Sequence, residues 1–331
     1  MNTKILTISI AAYNAEQYIE KTLDSIIKSK YISNIEVFVI DDGGMDNTLK
    51  IAENYKSRFP TSIIPVHKEN GGYGTTVNYS IKNASGKYFK LLDGDDWFDT
   101  KQLDLYVSQL LSTNVDVVVT PYYRGRDESD YNIVRPSGLM PTEQKIKDIK
   151  NISLIGMWAI TYKTEILREC GLQLPPKLLY TDQIFCTIPF VCAKTIIYYD
   201  NPVYFYRLGR DGQSVSKESR IKHLKDAIDN CTYLCQIYEN NKTIVNKQYL
   251  LKRISAYYCA AIRTITLLPV NKETQNMIIE YENQIKDISP DVFKESTKIQ
   301  TMGKFVKCMR STKYLFYWIL KIIPGGMPNW Y

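Results

Sequence analysis

The sequence predicts an α/β protein: a mostly parallel sheet with helices on both faces, followed by a helical C-terminal region. Three observations carry this. Strand-like apolar runs alternate with helical periodicity over residues 1–120. The pattern turns wholly helical beyond residue 216. The charge changes at the same place: residues 216–331 hold 18 Lys and Arg against 10 Asp and Glu, whereas residues 1–215 hold 24 against 25.

ILTISI (5–10) is apolar and β-branched, a first strand. EQYIEKTLDSIIKS (16–29) sets Tyr18, Ile19, Leu23, Ile26 and Ile27 at helical spacing. IEVFVI (35–40) reads as a buried strand, and DNTLKIAENYKSRF (46–59) as a helix with Asp46 as its N-cap. SIIPV (62–66), the helix TTVNYSIKNA (75–84) and YFKLL (88–92) continue the alternation. A helix over 101–112 and VDVVV (115–119) follow. Strands alternating with helices imply parallel pairing under two helical layers. In such sheets ligands bind beyond the carboxyl ends of the strands. Residues 121–155, with Pro, Gly and charged clusters, are expected as irregular loops over the site. SRIKHLKDAIDNCTYLCQIY, QYLLKRISAYYCAAIRTITLL and 272–287 are the C-terminal helical stretches.

Composition narrows the class. With 331 residues, 44% hydrophobic and 23% charged, the chain is long enough for a large α/β domain plus an extension. MNTKILTISIAAYN lacks the pattern of a signal peptide, and no run reaches about 18 apolar residues. The seven cysteines are odd in number and irregular in spacing, so free thiols in a reducing cytoplasm are expected, not a disulfide framework. Two histidines make a poor zinc set.

The chemistry concentrates in KYFKLLDGDDWF (87–98), where Asp93, Asp95 and Asp96 follow an apolar strand. Three acids this close repel one another unless something positive sits among them. A hard divalent cation, Mg²⁺ or Mn²⁺, takes one or two such carboxylates and completes its shell with phosphate oxygens and water. The plainer alternative is a solvated acidic turn, or Asp96 capping the next helix. A second pair, Asp41 and Asp42, ends another strand, and this favours a metal and a nucleotide. SIAAYN after the first strand and HKENGG after the third could converge on the same crevice.

SIAAYNAEQYIEKTLDSI, VFVIDDGGMDNT, KENGGYGTTVNYSIKNASGKYFKLLDGDDW and YFYRLGRDGQSVS together resemble the family 2 glycosyltransferases. The resemblance covers residues 5–215. It implies an inverting, metal-dependent sugar transferase with the GT-A fold, of the bacterial surface-polysaccharide type. Residues 1–215 would then be the catalytic domain, with a nucleotide-sugar half (1–120) and an acceptor half (121–215). On that resemblance Ala11, Ala12 and Tyr13 would contact the nucleotide base, Tyr13 by stacking. Asp41, with Asp42 as the near alternative, would accept from uracil N3–H and so favour UDP-sugars. Asn70 would lie beside base and ribose, with Gly71 and Gly72 permitting close backbone approach. Asp93 would hold the ribose or a metal-bound water, Asp95 the metal itself, and Asp96 would belong to the sugar or acceptor side. The metal would offset the repulsion of the acids and stabilise charge on the UDP leaving group.

An inverting transfer also needs a base for the acceptor hydroxyl. The family often places Glu-Asp at a helix start; here LLYTDQIFCTIPF has Thr181 and Asp182. Asp182 is the expected base, against plain capping of a 182–192 helix. Arg207 would hold a phosphate oxygen, with Ser214 or Ser216 donating to the same group. Arg210 reads equally as a structural ion-pair partner. Trp158, in GMWAITY, is expected as a floor under the acceptor sugar, or as core. His67 reads as structural; His223 carries a minority reading as a late metal ligand.

Residues 298–331 hold Lys298, Lys304, Lys307, Arg310, Lys313 and Lys321 and no acid. At 100° per residue Phe305, Met309, Phe316, Ile319, Leu320 and Ile323 share a face opposite most of the basic residues. The pattern predicts a helix lying on an anionic membrane, against the alternative of a helix packed on the protein. The expected partners are a UDP-sugar, a saccharide acceptor on a lipid carrier and the inner face of the plasma membrane. A signalling receiver and a non-catalytic nucleotide-sugar binder are competing classes. Nucleic acid is not an expected partner, because the basic excess is interleaved with apolar residues and shows no reading motif.

Overall fold

The structure is a computed structural model that describes residues 3–209, 213, 214, 216–241 and 246–322. The chain forms two compact units, Met1–Arg210 and Asp211–Tyr331, against an expected boundary at 216.

The first unit opens with β1 (Leu6–Ala12), α1 (Ile19–Ile27), β2 (Ile35–Asp41), α2 (Thr48–Arg58), β3 (Ile63–His67), α3 (Tyr73–Asn83) and β4 (Tyr88–Asp93). β3, β2, β1 and β4 lie side by side, all parallel. All seven residues of β2 are buried, as a strand covered on both faces requires. The apolar stripe of α1 (Ile19, Leu23 and Ile26) is fully buried, at about 1.5–3 kcal/mol for each side chain. Asp46 does not cap α2: Asn47 holds that position without a side-chain bond, and Asp46 accepts from Thr48 N (3.0 Å) one residue earlier.

The short β5 (Trp97–Phe98) comes before α4 (Thr100–Ser112). Asp99, not Asp96, caps α4, accepting from Lys101 N and Gln102 N. Then follow β6 (Val117–Val119), β7 (Tyr122–Asp127), β8 (Asp130–Val134), β9 (Gln144–Lys145), β10 (Ile160–Lys163), α5 (Thr164–Glu169), α6 (Asp182–Phe185), β11 (Thr195–Tyr198) and β12 (Tyr204–Arg207). Among the described residues the main sheet has eight strands in the order β3-β2-β1-β4-β10-β6-β11-β9. β10 is antiparallel to both its neighbours. A second sheet runs β5-β12-β7-β8.

Residues 121–155 are therefore not wholly irregular. Tyr122–Val134 is a β-hairpin, and Tyr122–Gly125 pair in parallel with Tyr204–Arg207. Its composition reads as loop because the polar face of a two-sided hairpin dilutes the alternation. The 182–192 helix is broken into α6 and a 3₁₀ turn at Ile188–Val191, with Pro189 in its first turn.

The second unit is helical: α7 (Lys217–Lys222), α8 (Leu224–Asn240), α9 (Lys247–Ile265), α10 (Lys272–Ile288), α11 (Pro290–Glu295) and α12 (Gln300–Ser311). Its core includes Leu234, Ile254, Tyr258, Ile262, Ile278 and Ile285. The expected C-terminal amphipathic helix is not continuous. α12 stops at Ser311, Lys313 and Tyr314 adopt left-handed φ of 49° and 67°, and a 3₁₀ stretch, Leu315–Ile322, follows. Phe305, Val306, Met309, Tyr317 and Leu320 are buried in this unit, and Arg310 turns inward. The apolar stripe is thus used largely for packing; Ile323 lies outside the described residues. Among the described residues no helix is long and apolar enough to cross a membrane. All seven cysteines are free.

Candidate active site

The carboxyl ends of β1, β2, β3 and β4 lie together because the strands are adjacent and parallel. The loops that leave them are laced by side chains. Asn14, left-handed at φ 50°, accepts from Met45 N (2.9 Å), and Thr48 Oγ1 accepts from Ala15 N (2.8 Å). These bonds tie the loop after β1 to the loop after β2. Tyr13 projects from the first of them, 55% exposed, beside half-buried Ala11 and buried Ala12.

The two acids after β2 are buried. Asp41 accepts from Gly44 N (2.9 Å) and meets His67 Nδ1 at 2.7 Å, so His67 has a structural partner. Asp42 accepts from Lys68 Nζ (2.5 Å), Gly71 N (3.0 Å) and Gly72 N (2.8 Å). Asp42 therefore shapes the Asn70-Gly71-Gly72 loop. Asn70 is exposed at its tip. Gly72 sits at φ 83°, and a Cβ there would lie 2.9 Å from Lys177 N. Left-handed backbone and close approach both demand glycine at that position.

The DGDD turn is docked on α1: Thr22 Oγ1 donates to Gly94 O (3.1 Å) and Asp96 O (2.7 Å). The three acids then part in role. Asp93 and Asp95 are half-buried at the strand end, whereas Asp96 is 1% exposed. Asp96 Oδ2 accepts from Tyr204 Oη (2.5 Å), and Oδ1 accepts from Arg207 N (2.8 Å). Burial, then the charges of Asp93 and Asp95, hold its carboxyl well above the usual carboxylate range. This corrects the expectation for Asp96. Buried and engaged at both oxygens, it is an internal clamp between the turn and β12, not a group facing an acceptor. Tyr204 Oη also accepts from Asp93 N (3.1 Å), so one phenol spans two of the acids.

A cation of the chain lies against the turn that carries the acids. Arg207 Nε donates to Asp95 O (3.0 Å), and its guanidinium lies 5.0 Å from the Tyr18 ring centre and 4.9 Å from that of Trp97. Ser214 lies at a turn in the second unit, and Ser216 caps α7 by accepting from Ser219 N. Arg210 falls outside the described residues. His223 meets Asp226 Oδ2 at 3.1 Å within the second unit.

Asp182 opens α6 and does not cap it; its Oδ2 accepts from Gln183 Nε2 (2.9 Å). Thr181, where the family often has Glu, is 1% exposed, which removes it from direct contact with an acceptor. Tyr73 links the two halves. Burial pushes its phenol pKa well up, and the charges that raise it further are Asp93 first, then Asp182. Carboxylates 89 positions apart in sequence thus act on one hydroxyl. Lys90 lies fully buried, donating to Trp158 O (2.9 Å) and Ile160 O (3.2 Å), with burial lowering its pKa from 10.5 to about 7. Trp158 is half-buried and stacks on Tyr206 with ring centres 4.2 Å apart. Tyr73, Tyr204 and Lys90 escape a reading by motif. Tyr204 and Arg207 do share the YFYR run, whose alternation sends the first to the acids and the last to the other face.

Among the described residues no three His, Cys, Asp or Glu side chains form a protein-only metal cage. Half-buried Asp93 and Asp95 still suit a hard cation that draws its other ligands from a diphosphate. Asp96, buried and bonded at both oxygens, does not.

Residues 7–171 match the family described as Glycosyl transferase family 2. Among relatives, the glycosyltransferase GlyA of Streptococcus pneumoniae is 25% identical over 266 residues, which is 76% of this chain and 36% of that protein. The poly(ribitol-phosphate) beta-N-acetylglucosaminyltransferase TarS of Staphylococcus aureus is 24% identical over 216 residues, 63% of this chain and 36% of that protein. The chain thus covers little more than a third of either relative's length. A solved structure of S. aureus TarS residues 1–349 with UDP-GlcNAc superposes with a TM-score of 0.72 at 18% identity, over 98% of this chain and 97% of that one. The mannosyltransferase PcManGT of Pyrobaculum calidifontis, solved with GDP-Man and Mn²⁺, gives a TM-score of 0.50 at 15% identity, over 95% of this chain and 88% of that one. At these identities the superpositions speak for a shared fold, GT-A in the case of TarS. Through residues 7–171 the chain belongs to glycosyl transferase family 2.

Proposed function

We propose that this protein transfers a hexosyl or N-acetylhexosaminyl group from a UDP-sugar, with inversion, to a saccharide acceptor during assembly of a bacterial surface polymer. The observation that carries this is the gathering of strand-end acids at the carboxyl ends of adjacent parallel strands: half-buried Asp93 and Asp95 after β4 beside the loops that leave β1, β2 and β3. Asp182, on α6, is the candidate base on the acceptor side. Tyr13 supplies an exposed ring for the base to stack on; Asp41, buried and held by Gly44 N and His67 Nδ1, would meet uracil N3–H only through the second lone pair of an oxygen already bonded within the fold. Asn70 and Gly71 line the ribose, and Arg207 reaches a phosphate oxygen. Ser214 as a further phosphate donor rests on the family resemblance. Trp158 floors the acceptor sugar. Asp95, with Asp93, would hold Mn²⁺ or Mg²⁺, which when bound neutralises the diphosphate. Asp182 takes the proton of the attacking hydroxyl. The UDP assignment draws support from TarS, solved with UDP-GlcNAc.

Titration calorimetry with UDP and GDP, with and without Mn²⁺, tests the donor site. Mn²⁺-dependent UDP binding that falls at least about tenfold in Asp95→Ala is expected. Absence of nucleotide binding under either condition would overturn the reading. A lipid-linked acceptor fits the second unit, where Leu315 (71%) and Ile322 (78%) are exposed among Lys313 and Lys321. On this reading the protein works at the inner face of the plasma membrane. Sedimentation with anionic, but not neutral, vesicles is the expected result, weakened in Leu315→Ser/Ile322→Ser.

A further inference from the structure

The second sheet carries a cation that the reaction as proposed does not use. Tyr122 and Arg124 on β7 pair in parallel with Tyr204 and Tyr206 on β12. Paired residues of parallel strands project to the same face. Tyr204 on that face reaches Asp96, and Tyr206 stacks under Trp158, with Tyr122 closing the platform 5.3 Å from Trp158. Arg124 therefore shares the face of Tyr204, which reaches Asp96, and of Tyr206, which lies against the aromatic floor assigned to the acceptor.

Other cations of the first unit are matched. Arg126 pairs with Asp130 (3.8 Å), Arg135 with Asp200 (3.2 Å) and Lys21 with Glu128 (2.6 Å), while Arg207 is bound to the DGDD turn. The guanidinium of half-buried Arg124 has no hydrogen bond or ion pair among the described residues. A guanidinium withdrawn from water without a partner is costly, and its planar fork matches a carboxylate or phosphate.

We propose that Arg124 is a specificity residue that binds an anionic group, a carboxylate or a phosphodiester, carried by the saccharide acceptor. This rests on the acceptor side proposed above. A neutral sugar would leave the guanidinium unmatched beside its ring. An acceptor with a negative substituent stacks on the Trp158 and Tyr206 platform and closes the fork with two parallel N–H···O bonds.

The test is ligand-observed NMR titration of the UDP- and Mn²⁺-loaded protein. The probes are methyl β-D-glucuronide, the phosphodiester glycerophosphoglycerol and neutral methyl β-D-glucoside. At least one anion is expected to bind about tenfold tighter than the glucoside. Arg124→Met should abolish that preference and leave UDP affinity unchanged, and Arg124→Lys should restore part of it. Preference for the glucuronide identifies a carboxylated sugar; preference for glycerophosphoglycerol identifies a phosphodiester. Three results overturn the proposal: equal binding of all probes to the wild type, undiminished preference in Arg124→Met, or displacement of the anion by raised UDP. The last would assign Arg124 to the donor. UDP affinity, read in the same samples, reports separately on the donor site.

Discussion

Each unit of the molecule buries a carboxylate, and the two are treated in opposite ways. In the second unit Glu282 is 0% exposed and saturated. Arg310 reaches both its oxygens at 2.8–3.2 Å, Tyr314 Oη donates to it at 2.6 Å, and Tyr258 Oη donates as well. Arg310 also donates to Phe293 O (2.7 Å) and Ser296 Oγ (3.1 Å). In the first unit buried Asp96 meets a phenol and a backbone amide, and two further acids stand beside it, half-exposed. The permanent counterion at Glu282 fixes helices together. At Asp96 burial, then the like charges of Asp93 and Asp95, hold the carboxyl well above the usual carboxylate range. The one network is closed around a permanent cation; the other sets three acids side by side at a strand end.

The largest effect expected from breaking this contrast is on the open side. Asp182→Asn should lower transfer by about 10²–10⁴-fold with UDP binding nearly unchanged, measured as UDP release in steady state. Full activity in that variant would remove Asp182 as the base. On the closed side, Arg310→Met leaves Glu282 buried without its cation, a change that costs about 3–5 kcal/mol in urea unfolding of the second unit. A loss below about 1 kcal/mol would show that the network is not closed.

Asp96→Asn should be the mildest change, about 1 kcal/mol, because an amide keeps the shape of the carboxyl and can meet both Tyr204 Oη and Arg207 N. Its pH dependence has a definite sign. The folded pKa is raised, so the wild type keeps its full contribution below about pH 4 and loses it as pH rises and the unfolded chain ionises. Thermal melts from pH 4 to 8 should therefore shift in favour of Asp96→Asn. A gap moving the other way would mean that Asp96 is charged in the fold.

Much of the first unit was legible in local pattern. The alternation over 5–119 marks β1, α1, β2, α2, β3, α3, β4 and α4 to within a few residues, because burial on one face leaves a period in the chain. The placement of acids after β2 and β4 is equally local. The hairpin 122–134 was not legible, since its partner strand, β12, lies about 80 residues on.

Roles were less legible than places. Asp95 and Asp96 are adjacent in sequence and alike in type, yet Asp96 is buried while Asp95 stays half-exposed. Arg310 sits in a basic run that reads as a solvent face, and Glu282, 28 residues earlier, draws it inward. By itself the sequence determined the periodicities and where acids follow strands, because those depend on neighbours within a few residues; the caps it marked at Asp46 and Asp96 fell instead to Asn47 and Asp99. Only the tertiary structure decided which charge is buried, which is paired and which is left for a ligand. An ionisable group's state is set by its partners and its access to water, and both come from residues distant in the chain.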